Sequence, residues 1–151
     1  MIPKARWSQY GEEGMVVKGI TIHNTNNSLS ARENAELMTN STSEAGCHFF
    51  IDETETIQMM PEDWHVWHTG KAYDGGNMTT IAIEICRSTS KEETYLQAQT
   101  RAIRKVKNLM KKYDIDISHV YFHRNWNPTT YCPHRILQIY GNRNTFIEEE
   151  F

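Results

Sequence analysis

Apolar and polar residues alternate along Lys18–Thr25 (KGITIHNT), and a period of two rich in β-branched residues predicts a strand. The same period recurs in Thr80–Arg87 (TIAIEICR). There Ile81, Ile83 and Ile85 fall on one face, and Ala82, Glu84 and Cys86 on the other. Cys47–Asp52 (CHFFID) and Thr56–Met60 (TIQMM) flank a polar stretch and predict a hairpin. His119–His123 (HVYFH) predicts another short strand. Elsewhere the period lengthens. From about Glu92 to Tyr113, Leu96, Ile103, Val106, Met110 and Tyr113 share one helical face. Ser30 followed by Glu33 is a capping-box pattern, opening a helix through about Asn40. Pro133 suits a first helical position, which predicts a short helix to about Tyr140. Asp74-Gly75-Gly76-Asn77 marks Lys71–Met78 as a loop, and Asn125–Tyr131, with Pro128, reads as another. The acidic tail Glu148–Phe151 reads as a solvated end or the start of a linker.

Strands and helices mixed in this order predict an α/β fold, a single domain with one central mixed β-sheet flanked by helices. A chain of 151 residues fits one such domain and can bury a core with a cleft beside it. The net charge of −3 argues against a nucleic-acid partner, because phosphate neutralisation needs clustered Lys and Arg. No apolar run approaches transmembrane length, and none follows Lys4 and Arg6 as a secretory signal would require. The expectation is a chain that starts in a cytoplasm, or an excised piece. Three cysteines without such a signal argue against a disulfide scaffold and leave reduced thiols.

Seven histidines are many for this length. His23 sits late in the first strand, His123 ends a late one, and Cys132 follows just before Pro133. Two imidazoles and a soft thiolate make a good zinc set with a fourth position left for water. The spacing alone is no zinc-finger pattern, and on spacing alone satisfied polar histidines and a small buried cysteine are the better reading. Glu84 interrupts the otherwise apolar IAIEIC. Either it lines a cleft as a general base, or that face is solvated and it is an ordinary outward residue. Trp64, His65, Trp67 and His68 crowd DWHVWHTG. An exposed indole there holds a sugar ring or peptide, or the indoles are core. The core reading is preferred for Trp64 and Trp67, a functional one for His68.

Taken in order, IHNT, CHFFID, VWHTG, IAIEIC, FHRNW and YCPHRIL resemble the type-2 N-acetylmuramoyl-L-alanine amidase family, which shares its fold with peptidoglycan recognition proteins. The pattern most resembles amidases of Bacillus and Gram-positive phage endolysins, and it spans about residues 19–137. The resemblance implies a surface zinc cleft with His23, His123 and Cys132 as ligands, Glu84 as the base and His68 as a substrate contact. The reaction implied is hydrolysis of the amide between the lactyl group of N-acetylmuramic acid and L-alanine, with zinc polarising the carbonyl. Two positions depart from the family. Cys47 stands where some members have a tyrosine, and Thr130 where many have a lysine. A thiol cannot replace a phenol as proton donor, which favours a Glu84-centred mechanism. A hydroxyl at Thr130 can still hydrogen-bond an oxyanion. Lys71 or Arg124 are other sources of charge, and Trp67, Asn24 and Lys71 join His68 as candidate substrate contacts.

The expected partner is bacterial peptidoglycan, bound by a monomer without stable membrane association. Residues 1–151 are expected to form one catalytic domain, with 142–151 a tail or a linker to an absent wall-binding module. A phage enzyme of this kind would collect in the host cytoplasm and reach the wall after holin-type release. The competing reading is a non-catalytic peptidoglycan-recognition module of the same fold. A structural zinc protein would need a fourth ligand, for which Cys47 or His48 would serve.

Overall fold

The two period-two segments become adjacent parallel strands at the centre of a mixed sheet. The computed structural model describes residues 1–70, 73 and 75–151, so Lys71 lies outside the described residues. The strands are β1 (Gly11–Glu13), β2 (Gly19–Asn24), β3 (Phe49–Ile51), β4 (Thr56–Gln58), β5 (Trp64–Val66), β6 (Thr80–Ile85) and β7 (Val120–Phe122). The main sheet has the order β4-β3-β6-β2-β7, parallel except for the antiparallel β3–β4 hairpin. β1 and β5 form a separate antiparallel pair. The helices are α1 (Trp7–Tyr10), α2 (Ala31–Asn40), α3 (Gly75–Thr79), α4 (Glu92–Tyr113), α5 (His123–Trp126), α6 (His134–Tyr140) and α7 (Arg143–Glu150).

Strand alternation sorts the side chains into two layers. Ile20, Ile22, Phe49, Ile51, Ile81, Ile83, Ile85, Val120 and Phe122 belong to one apolar cluster with α4, α6 and α7. Burying each such aliphatic side chain is worth about 1.5–3 kcal/mol, so this layer carries much of the stability. Ala82, Phe50 and Cys86 face the other way, toward α2 and the N-terminal segment. α4 has the limits its periodicity predicts, and it turns off at Asp114, which adopts the left-handed conformation. α2 opens on the predicted capping box, with Ser30 Oγ accepting from Glu33 N and Ser30 N donating to Glu33 Oε2. Buried Asp52 adds a second cap by accepting from Ala31 N at 2.7 Å.

Several expectations need correction. The segment assigned to a loop contains α3, because Gly75 and Gly76 serve close approach rather than a turn. A Cβ on either would lie 3.0 Å from the Trp126 indole. The loop expected from Asn125 begins later, since α5 continues through Trp126. The acidic tail, expected as a solvated end or linker start, keeps Glu148 and Glu149 exposed within a helix. It lies in α7, whose Phe146 is fully buried and touches the rings of Phe122, Tyr140 and Phe151. His48, a candidate above for the fourth ligand of a structural zinc, has both ring nitrogens engaged elsewhere. Its Nε2 donates to the Trp64 carbonyl and its Nδ1 accepts from Ala82 N, both at 2.9 Å, which staples β5 to β6.

Candidate metal centre

The site occupies the α2 face of the sheet, at the carboxyl ends of β2 and β6. His23 and Glu84 stand in register on these neighbouring strands. β7 delivers His123 at the start of α5, and Arg124 N donates to the Cys132 carbonyl at 3.0 Å, drawing the Cys132 loop in beside it. The ligand atoms of His23, His123 and Cys132 all lie within 4.8 Å of one another. His23 Nδ1 is 3.8 Å from Cys132 Sγ and 4.0 Å from Glu84 Oε1. Bond lengths of about 2.0 Å to nitrogen and 2.3 Å to sulfur separate two ligands of a tetrahedral zinc by roughly 3.6 Å, close to that spacing.

Electrostatics favour a cation. Burial, then the neighbouring His68 and His123, hold the His23 pKa well below its ordinary value. Burial, then Glu84, pushes the Cys132 thiol up to about 12. Burial alone raises the Glu84 carboxyl to about 8. Each shift follows from the cost of a charge in a dry site without a compensating partner. Glu84 Oε2 is buried with no hydrogen-bond partner among the described residues. A divalent cation compensates such a group and favours the thiolate and carboxylate. The donor set and the unpartnered oxygen therefore fit a zinc ion with one position left open.

Two grooves flank the centre. One, of about 330 Å³, is lined by Glu84, Leu37, Met38, Cys47 and Phe50 among others. The second, of about 450 Å³, includes Glu44, Trp67, His68, Gly70 and His123. Ala45 borders both. Trp67 is half-buried against the exposed Tyr73, their rings edge to face at 5.9 Å.

Other candidates take different places. His68 is buried, with Nδ1 2.9 Å from His23 Nε2, and its ring also borders the second groove. Asn24 was expected to touch substrate. It borders the first groove, and its Oδ1 accepts from Arg135 N while its Nδ2 donates to the Tyr95 hydroxyl, which anchors α6 behind the Cys132 loop. Thr130 is half-buried in that loop, and its hydroxyl makes no hydrogen bond to the donor set among the described residues. Cys47 is a buried thiol beside Glu84. Sequence reasoning missed Thr21, Thr80, Asn77 and Trp126. Asn77 Oδ1 accepts from His68 N and Thr69 N, fixing the turn that carries His68. Thr21 and Thr80 share the strand parity of His23 and Glu84, the one signal that could have found them.

Two imidazoles, a thiol and a carboxylate converge beside open grooves, and the imidazoles and thiol form a group that could hold a metal ion. The chain belongs to the N-acetylmuramoyl-L-alanine amidase family, whose model matches residues 13–135. It is 38% identical over 138 residues to the N-acetylmuramoyl-L-alanine amidase CwlA of Bacillus subtilis, covering 91% of this chain and 50% of that protein. It is also 38% identical to XlyB of the same organism, covering 43% of it, so the chain spans half or less of these relatives. The structure of PlyL superposes with a TM-score of 0.91 at 32% identity, covering 98% of this chain and 92% of that one. The catalytic domain of XlyA gives 0.87 at 27% identity, covering 100% and 96%.

Proposed function

We propose that this domain hydrolyses the amide between the lactyl group of N-acetylmuramic acid and L-alanine in bacterial peptidoglycan. The observation that carries this reading is the convergence of His23, His123 and Cys132 on one point beside Glu84. His23 and His123 would hold the metal through neutral nitrogens and Cys132 through its thiolate. Zinc bound there supplies Lewis-acid polarisation of the scissile carbonyl and acidifies water. Glu84 takes a proton from the attacking water and returns it to the alanine nitrogen as the C–N bond breaks. Burial raises its pKa to about 8 without a cation, and a bound cation would draw it back toward the carboxylate that a base must be. Thr130, in the loop that carries Cys132, would donate a hydrogen bond to the developing oxyanion. Trp67 and Lys71 contact glycan or peptide.

The biological setting proposed is lysis of a Gram-positive wall by a monomeric phage-type enzyme released through a holin-type membrane lesion. No helix among the described residues is long and apolar enough to cross a membrane. A recognition module without hydrolysis is the second reading, favoured by Cys47 and Thr130 at the departing positions. End-group analysis separates the two. Purified Gram-positive peptidoglycan, digested with and without a zinc chelator, should yield new L-alanine amines and no new reducing ends, and the chelator should suppress them. Wall binding with no new ends of either kind would replace hydrolysis by recognition.

A further inference from the structure

Behind the donor set runs a line of hydrogen bonds that the hydrolytic chemistry does not use. Trp126 Nε1 lies 2.9 Å from Thr21 Oγ1, which lies 2.7 Å from Thr80 Oγ1. Thr80 Oγ1 is 2.6 Å from the Gly76 carbonyl and 3.5 Å from His68 Nε2. His68 Nδ1 is 2.9 Å from His23 Nε2.

The two ends of this line force the direction of every proton in it. An indole N–H only donates, so Thr21 accepts from Trp126. A carbonyl only accepts, so the single hydroxyl proton of Thr80 goes to Gly76. The Thr80 oxygen is thereby an acceptor toward both Thr21 and His68. Thr21 fills one place with its own proton, and His68 fills the other from Nε2. The backbone at Gly76 and at Thr80 also hydrogen-bonds this ring. Both rings are buried and share one hydrogen bond at 2.9 Å, and a neutral imidazole carries one N–H. His68 Nδ1 is then a bare acceptor, and His23 must carry its proton on Nε2. That leaves a lone pair on His23 Nδ1, the atom facing Cys132 and Glu84. Only a bare nitrogen can ligate a metal.

We infer that His68 and Thr80 are positioning residues, which hold His23 in its metal-ligating tautomer before any metal arrives. The inference rests on the metal reading above, and it gives His68 a role other than touching substrate. The same line ties together the elements bearing two of the donors, because Trp126 closes the one-turn helix that His123 opens. The glycine pair is part of the device. A side chain at Gly76 would meet Thr69 Cγ2 at 2.5 Å and the indole at 3.0 Å, and would push Trp126 away from Thr21.

Two readouts test this, neither of them wall hydrolysis. In metal-free protein labelled with ¹⁵N-histidine, long-range ¹H–¹⁵N spectra should find His23 and His68 both protonated on Nε2. Zinc affinity, measured by competition with a chromophoric chelator, should fall roughly ten- to hundredfold in Thr80→Val, the range seen when partners of metal-bound histidines are removed. Thr80→Val should also mix the His23 tautomers, and Thr80→Ser should restore both properties. Trp126→Phe keeps a ring against Gly75 and Gly76 but removes the N–H. It should weaken zinc by a smaller factor, and it carries the test should Thr80→Val not fold. A wild-type His23 protonated on Nδ1 would overturn the inference. So would variants with wild-type tautomers and wild-type zinc affinity. A wild-type chain with both histidines protonated on Nε2 that takes up no zinc would overturn the metal reading instead, so the two failures are told apart.

Discussion

The two faces of the central sheet are made by alternate residues of the same strands, and they obey different rules. On the α4 side Ile20, Ile22, Ile81, Ile83 and Ile85 are buried, and none brings a polar atom with it. On the α2 side the intervening positions are Thr21, His23, Thr80, Ala82 and Glu84, nearly as deeply buried yet mostly polar. The first face gains free energy from burial. The second loses it wherever a group lacks a partner, and Glu84 Oε2 is such a group. One strand pair thus holds a stabilising face and a costly one back to back, and the rigid first face keeps the second in place.

The largest expected effect breaks the costly face alone. Glu84→Gln should lower the hydrolytic rate by about 100- to 10,000-fold, the usual worth of a general base. Zinc content should hold, and denaturant midpoints should stay level or rise, because a carboxylate that burial disfavours is gone. A large loss of stability in this variant would mean that the two faces are not separable. Ile83→Ala breaks the other face. It should cost about 2–5 kcal/mol in urea denaturation while each folded molecule keeps its zinc affinity.

A third prediction sharpens the comparison through pH. Burial lowers the His48 pKa from 6.5 to about 4. Below pH 6.5 the unfolded chain binds a proton that the folded chain refuses, so stability present at neutral pH is lost as pH falls from 6.5 toward 4. His48 accounts for at most about 3 kcal/mol of that loss. Metal-free His48→Gln, denatured at several pH values, should lack this share of the slope, while the shares of His23 and His68 remain. Parallel slopes for the two proteins would assign the acid sensitivity elsewhere.

How far the sequence could be read follows the same division. The apolar face announces itself by period, so the strands at Gly19–Asn24 and Thr80–Ile85 and the helix at Glu92–Tyr113 were predicted closely. The short β1–β5 pair and the N-terminal turns carry too few residues to show any period. The polar face has no period that separates a ligand from a solvated residue. His23, His123 and Cys132 were found by resemblance, and parity alone marks Thr21 and Thr80. The errors came from residues read for their commonest use. Gly75 and Gly76 read as a turn in the sequence, whereas what they provide is room for an indole.

The in-register pairing of His23 with Glu84 makes the sheet a measuring rod. Neighbouring strands lie about 4.8 Å apart wherever their ladder is intact, whatever their side chains do. The gap between a ligand and the proposed base is therefore set by the backbone and changes little with rotamers or loop motion. Natural drift can revise the surrounding loops and grooves, and with them the choice of wall, without recalibrating that gap. It cannot slide β6 against β2 by one residue, because the slip would turn Glu84 into the isoleucine layer and bring an isoleucine to the site.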